Sequence, residues 1–245
     1  TDGKGGQFGI SANLARGENL LDLLVNLSED EKGIVSRLLG IPNEPSVDLN
    51  IAGQGPLSDF KTDITLSTDG TPRLTGQVGF AELGDESAPD RRIHADLSGD
   101  VTALILSQYR EFFGPDVALT LDALVQADGG IDVSDFALKT QSADLQGKIT
   151  LNSDKWPSLI DITGTVAAAD GSRVLLPVAG ASTYVQRVAL DVNYDAGSGE
   201  TLDATFDVTG LATDALAIEN AQLNLDGTLQ GRAGTVGEFN GDLVF

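Results

Sequence analysis

The stretch QSADLQGKITLNSD, residues 141–154, places Ala143, Leu145, Gly147, Ile149 and Leu151 on one side of a two-residue beat. Asp144, Gln146, Lys148, Thr150 and Asn152 fall on the other side. This is a β-strand with one dry face and one wet face. The same beat returns in RLTGQVGF (73–80), SLIDITGTV (158–166) and QLNLDGTL (222–229). The fold is decided by what a chain with about a dozen such strands does with its dry faces.

Working outward, Val47, Leu49 and Ile51 alternate before a GQGP turn, and Phe60, Ile64 and Leu66 alternate before TDGT. Leu74, Val78 and Phe80 follow with Gly76 on their face, then Ile93, Ala95 and Leu97. Leu119 and Leu121 resume the beat after Val117; Ile131 and Val133 slip by one residue to Phe136 and Leu138, the mark of a bulge. Later strands centre on Ile160, Ile162 and Val166, on Val188, Leu190, Val192 and Tyr194, and on Leu202, Phe206 and Val208. Leu216 and Ile218, then Leu223, Leu225 and Leu229, complete the series, and a last strand begins before Phe245. No strict repeat emerges, only a loose unit of strand, glycine-bearing turn, and strand with an inward glycine.

Two stretches break the beat. Leu20, Leu23, Leu24 and Leu27 have helical spacing, and Ser28 with Glu31 reads as a capping box for a second helix carrying Ile34, Val35, Leu38 and Leu39. A helical insertion is therefore expected near 18–40, and another over 101–113, stopped by Gly114-Pro115. The polar stretch 82–92 reads as a loop and DAGSGE (195–200) as a hairpin turn.

A strand rises about 3.3 Å per residue and neighbours lie about 4.8 Å apart, so a dozen strands present an apolar face of roughly 1,400 Å². Soluble proteins rarely expose more than a few hundred Å² in one patch. The helical insertions are too small to hide it. The sheet either packs on itself as a sandwich or curls into a trough holding something apolar. Only one Trp, three Tyr and nine Phe are present, which favours the trough over an aromatic-rich sandwich core.

With 37 acidic and 15 basic residues the formal charge is −22, which argues against nucleic acid or an anionic membrane surface as a partner. There is no cysteine, hence no disulfide or thiolate metal site, and no methionine, so the chain reads as a piece of a longer protein. No apolar run approaches the roughly 20 residues of a membrane helix.

VDLNIAGQGPLSDFKTDITLSTDGTPRLTGQVGF (47–80), YREFFGPDVALTLDALVQADGGIDVSDFALKTQSADLQGKITLN (109–152) and DGSRVLLPVAGASTYVQRVALDVNYDA (170–196) resemble the periplasmic part of the TamB-like translocation and assembly module subunits. These are AsmA-like proteins, similar in architecture to the eukaryotic chorein-type bridge proteins. The resemblance spans roughly residues 8–230 and carries no catalytic signature. It implies an all-β, elongated, twisted and curled sheet forming an open hydrophobic groove. It implies an inner-membrane anchor and an outer-membrane partner barrel of the BamA type (TamA), both engaged by regions outside this chain. It implies movement of phospholipid between the membranes, outer-membrane protein assembly, or both, in the periplasm of a Gram-negative envelope. On this reading the chain is a single groove segment, 1–245, without enzymatic activity or cofactor. The groove lining that meets acyl chains would be Val47, Leu49, Ile51, Ile64, Leu66, Leu74, Val78, Phe80, Leu119, Leu121, Leu145, Ile149, Leu151, Ile160, Ile162, Val166, Val188, Leu190, Val192, Leu202, Phe206, Val208, Leu223 and Leu225. The rival reading is a structural or adhesive surface protein, a sandwich or β-solenoid with a closed core.

Candidate reactive groups are weak. His94, the one histidine, shares the wet face with Asp96 and reads as surface. Ser58-Asp59-Phe60-Lys61 matches S-x-x-K, but Pro56 precedes it and a β pattern follows. Asp191, Asn193 and Asp195 mimic an EF-hand start, but Ala196 and Leu202 stand where glycine and glutamate are needed. Arg91-Arg92 is the one basic pair and reads as a solvated loop, with a phosphate headgroup as its possible ligand.

Overall fold

The computed structural model describes residues 6–15, 20–84, 87–228 and 239–244. It is 63% strand and 9% helix, and every strand belongs to one antiparallel sheet that does not close. Neighbours in sequence are neighbours in the sheet from β1 (Gln7–Ala15) and β2 (Leu20–Glu29) through β3 (Val47–Pro56), β4 (Phe60–Thr68), β5 (Thr71–Leu83), β6 (Asp90–Gly99), β7 (Val117–Val125), β8 (Ile131–Lys139) and β9 (Ala143–Leu151) to β10 (Pro157–Ala167). The path then steps over the short ribbon β11 (Val174–Leu175) and β12 (Tyr184–Val185) to β13 (Arg187–Asp195), β14 (Thr201–Ala212), β15 (Ala217–Thr228) and β16 (Phe239–Val244). This is a meander built from local hairpins, the topology that alternating strands with short turns favour. Leu229 and Phe245 lie outside the described residues, as do residues 85 and 86 of the expected polar loop.

Strands approach one another closely on the dry face at glycines. A Cβ at Gly147 would lie 2.3 Å from the Asp161 carbonyl oxygen, and one at Gly164 would lie 2.4 Å from Leu145 Cδ2. Neighbouring strands press together at these inward positions, and only a residue without a side chain lets them do so. The expected slip after Val133 is present: the pairing shifts between Asp122 and Ala123 on β7 and between Val133 and Phe136 on β8.

The expected helix at the start of the 18–40 region is a strand. β2 pairs along its whole length with β1 on one side and β3 on the other. Leu21, Leu23, Val25 and Leu27 satisfy the two-residue beat as well as the other leucines satisfy the helical one, and flanking strands decide the matter. Leu24 consequently points to the wet face and is 39% exposed. The capping box is replaced too. Ser28 lies within β2, and helix α1 (Ile34–Leu38) starts later with Gly33 at its N-cap. The carboxylate that accepts from its first N–H groups is that of Glu29, from Val35 at 3.0 and 2.9 Å and from Ser36 at 3.3 Å.

The second insertion forms two 3-10 turns, Val101–Ala103 and Ser107–Tyr109, and the single-turn helix α2 (Arg110–Phe113). Gly40 and Gly114, with φ of 65° and 66°, lie just beyond α1 and α2, where side chains are disfavoured.

The long connections share one rim of the sheet. The α1 segment joins β2 to β3, the α2 segment joins β6 to β7, and the β11–β12 ribbon joins β10 to β13. Each recurs after four strands, and each is followed by a related strand opening: Val47-x-Leu49-x-Ile51, Val117-x-Leu119-x-Leu121 and Val188-x-Leu190-x-Val192. The loose unit seen in sequence is thus part of a four-stranded repeat marked by its rim insertion.

A cluster of buried side chains lies under the α2 segment and the β11–β12 ribbon. Phe112, Ala143, Val166, Val174 and Val185 are buried together, with Phe113, Leu145 and Val188 among the side chains packed around them. The insertion is tied down by Thr140 Oγ1, which donates to the Phe112 carbonyl at 2.9 Å, and by Gln141 N–H, which donates to that of Phe113 at 2.9 Å. These bonds hold it to the rim of the sheet.

Candidate functional site: an open apolar groove

The register assembles the dry face into continuous rows, because directly paired residues of antiparallel strands point the same way. One row runs Ile10, Val25, Ile51, Ile64, Gly76, Leu97, Leu119, Leu138, Leu145, Gly164, Leu190, Phe206 and Leu223. Every strand from β1 through β15, the short ribbon aside, contributes an apolar residue or glycine to it. The next row runs Ala12, Leu23, Gly53, Thr62, Val78, Ala95, Leu121, Phe136, Gly147, Ile162, Val192, Ala204 and Leu225. Its one polar member, Thr62, turns its hydroxyl to the Val78 carbonyl at 3.0 Å. The rows cross the strands and run the length of the sheet, roughly 60 Å at about 4.8 Å per strand.

All the residues expected to line the groove lie on this one face. Val47 and Val166 are buried, and every other one is half-buried. Most of this face is therefore half-exposed among the described residues, although Phe60, Ala95, Tyr194 and Ala204 on it are buried. The sheet that carries them is open and does not close. Val25, Ile93, Leu97, Phe136 and Leu138 line the groove as well, and the alternation of Leu97 with Ile93 and the beat resuming after the bulge mark four of them. Val25 was hidden by the helical reading of β2.

Glycines shape the floor. Gly76 and Gly164 interrupt the first row, and Gly53 and Gly147 the second. Neighbouring side chains lean over three of them: Thr62 and Phe60 over Gly53, Ile162 over Gly147 and Leu145 over Gly164, which evens out the lining.

The opposite face is polar and acidic. Asp161, Asn193, Asp203 and Asp226 are direct cross-strand neighbours and all exposed. Carboxylates so placed repel one another, and they keep this face in water. Among the described residues no group of acidic or histidine side chains is arranged to hold a metal ion. Asp191, Asn193 and Asp195 are consistent with this: Asp195 caps a 3-10 turn by accepting from Gly197 N–H at 2.7 Å, and Asn193 donates to Asp191. Ser58 belongs to the short turn Leu57–Asp59 that enters β4.

Arg91 and Arg92 are strand residues rather than loop residues. β6 starts at Asp90 because Arg91 and Arg92 pair with Val125 and Leu124 of β7. Arg91 lies on the groove side, 4.0 Å from Glu82, while Arg92 reaches Asp122 at 2.9 Å on the wet side. His94 also meets Asp122, at 3.1 Å, and not Asp96. Burial pushes the Asp122 carboxyl up, but hydrogen bonds from Arg92 and His94 outweigh it and hold the group below the ordinary carboxylate value. The trio fits a surface ion-pair cluster.

A second acidic anchor sits on the insertion rim. Asp100 accepts from the Thr102 hydroxyl and, at 3.0 Å, from Thr102 N–H, and lies 3.3 Å from Arg73. The Thr102 hydroxyl is the main reason that the Asp100 carboxyl is held below its ordinary value; burial opposes it, and Thr102 N–H, Arg73 and Arg110 assist. A depressed folded-state value gives stability that is present above the unfolded value of 3.8 and lost as pH falls through the folded one. Asp100→Asn should therefore melt below the parent chain near neutrality, with the gap narrowing on acidification below 3.8. Thermal melts of both proteins across that range check this, and a gap that stays constant or widens contradicts it.

No protein-family model, curated protein or solved structure matches this chain. Among the described residues no helix is long and apolar enough to cross a membrane.

Proposed function

We propose that the chain is a non-enzymatic conduit segment whose groove carries phospholipid acyl chains. The observation that carries this reading is the row from Ile10 to Leu223, apolar but for Gly76 and Gly164, exposed at Ile10 and half-buried from Val25 onward, on a sheet that does not close. Each acyl CH₂ removed from water contributes about 0.8 kcal/mol. An aliphatic lining repeated strand after strand offers similar contact everywhere, so a chain that shifts along the row trades equal contacts. The groove holds lipid without trapping it at one place. Headgroups would stay in water at the open mouth, and the acidic outer face would stay solvated.

The resemblance to TamB-like proteins extends this to a periplasmic bridge. The segment would belong to an inner-membrane-anchored protein that delivers phospholipid to the outer membrane, supports outer-membrane protein assembly, or both, together with a BamA-type barrel (TamA) engaged elsewhere. Nucleic acid is not among its proposed partners, because the −22 charge repels it.

The expected result is that the chain purified without detergent carries phospholipid, detected by native mass spectrometry and by solvent extraction. A lipid-free, monomeric and fully folded chain in plain buffer would overturn the proposal.

A further inference from the structure

We infer that phospholipids lie across the groove with one polarity, acyl ends under the insertions and phosphate headgroups along the opposite rim, where Arg91 meets one of them. The inference rests on the phospholipid reading and adds which rim faces the headgroup. The outermost dry residues differ between the two rims. At the insertion rim Val47 pairs with Thr68 and Ala143 with Val166, and all four are buried, as is Val117 between them. The insertions lie over this rim. Glu29, on the dry side opposite Val47, accepts from Val35 and Ser36 of α1, and Phe112 of α2 is buried with Ala143 and Val166. At the other rim the connections include tight turns: Gln126 N–H donates to the Gly130 carbonyl at 2.9 Å, and Asn152 N–H to that of Trp156 at 2.8 Å. Phe60 and Tyr194 are buried near this rim, but the row between them, Glu82, Arg91, Val125, Ile131 and Leu151, is exposed or half-buried.

The two ends of a phospholipid fit these rims differently. An acyl terminus is uncharged and loses nothing beside Phe112 or Val166, whereas a phosphate placed there would be buried without a partner. The phosphate therefore takes the rim that keeps water. Charge decides the same way. Arg73, at the insertion rim, is 18% exposed and already donates to Thr68 Oγ1 at 2.9 Å and to Asp100 at 3.3 Å. Arg91, on the dry side at the other rim, is 55% exposed and meets Glu82 only at 4.0 Å, the limit of an ion pair. Its guanidinium keeps the planar pair of donors that a phosphodiester accepts from. Arg92 does not share the task, because it points outward and is held by Asp122.

Because the chain has no cysteine, single introduced thiols report each rim. Leu119→Cys and Val125→Cys lie on the dry side of β7 roughly 20 Å apart, the first toward the insertions and the second beside Arg91. Each is labelled with bimane and loaded from phosphatidylcholine vesicles that carry a nitroxide on the headgroup or at the acyl end. The headgroup nitroxide should quench Val125→Cys at least about twofold more than Leu119→Cys, and the acyl-end nitroxide should do the reverse, because quenching is short-ranged against that separation. Leu74→Cys and Phe80→Cys on β5 repeat the comparison should a β7 variant fail to fold. Arg91→Gln should weaken retention of phosphatidylcholine about two- to fivefold, the size of an exposed ion pair, and leave that of diacylglycerol, which lacks the phosphate, unchanged. Equal quenching at both positions, the reversed pattern, or an Arg91→Gln effect that does not distinguish the two lipids overturns the inference and leaves the conduit reading standing. No quenching by either nitroxide at any position overturns the conduit reading itself, and the inference with it.

Discussion

Ile149→Glu is expected to leave the chain folded and to abolish its phospholipid. Ile149 is half-buried in the dry row that links Val133, Ile160 and Tyr194, and it is not among the residues of the closed cluster under the insertions. A glutamate there can lift its carboxylate through the open mouth to water, so the folded state loses about 1 kcal/mol or less, the scale of a surface change. An acyl chain lying over the same position buries that carboxylate without a partner, which costs several kcal/mol. Lipid extracted per chain should fall to background while the melting temperature stays within a few degrees. Val166→Asp provides the contrast. Val166 is 7% exposed and packs with Phe112 and Val185, so its carboxylate has no route to water and the chain should unfold. Lys148→Asp, on the exposed outer face beside Asp161, should leave lipid content unchanged. If Ile149→Glu unfolds the chain as Val166→Asp does, the dry face is a packed core and the conduit reading fails.

Gly76→Ala should destabilise the sheet more than any other single methyl added to the groove floor. A Cβ there would lie 2.0 Å from the Asp96 carbonyl oxygen and 2.8 Å from Leu97 Cα, with φ at 153°. Both obstacles are backbone, so no side-chain rotation relieves them. The two strands must separate, or the residue must leave its conformation, at about 2–4 kcal/mol. In a chain of this size that lowers the melting temperature by roughly 5–15 °C. Gly9→Ala is the control: its nearest neighbour would be the Asn26 carbonyl oxygen at 4.0 Å, and its effect should fall within about 0.5 kcal/mol. Equal melting of the two variants would mean that β5 and β6 are not pressed together at Gly76, and that the sheet is flatter than described.

Much of this architecture is legible in the sequence, for a local reason. A meander pairs each strand with the next, so alternation alone places Leu119, Leu145 and Leu190 on one face and Asp161 and Asp191 on the other. The register that lines them into one row comes from turn lengths and from the bulge after Val133. β2 shows the limit. Its leucine-rich run satisfies the periods of helix and strand alike, and only pairing with β1 and β3 selects the strand. Glu29 shows another, since its carboxylate caps α1 from outside the helix and leaves no motif at a fixed offset. Arg92, His94 and Asp122 meet across two strands, a contact no local spacing encodes. The ribbon of β11 and β12 was invisible because its few paired residues carry too short a pattern to stand out from a loop.

The central claim, that acyl chains lie on the dry rows, is tested most directly by photocrosslinking from adjacent positions of one strand. A photoreactive amino acid is placed at Leu121, which faces the groove, or at Thr120, which faces outward with Asp96 and Ala137. The chain is produced in cells, irradiated before lysis and analysed by mass spectrometry for phospholipid adducts. The account predicts adducts at Leu121 and not at Thr120, repeated at Ile64 and Val192 toward the two ends of the sheet. Adducts equally frequent on both faces, or none on the dry rows, would contradict it.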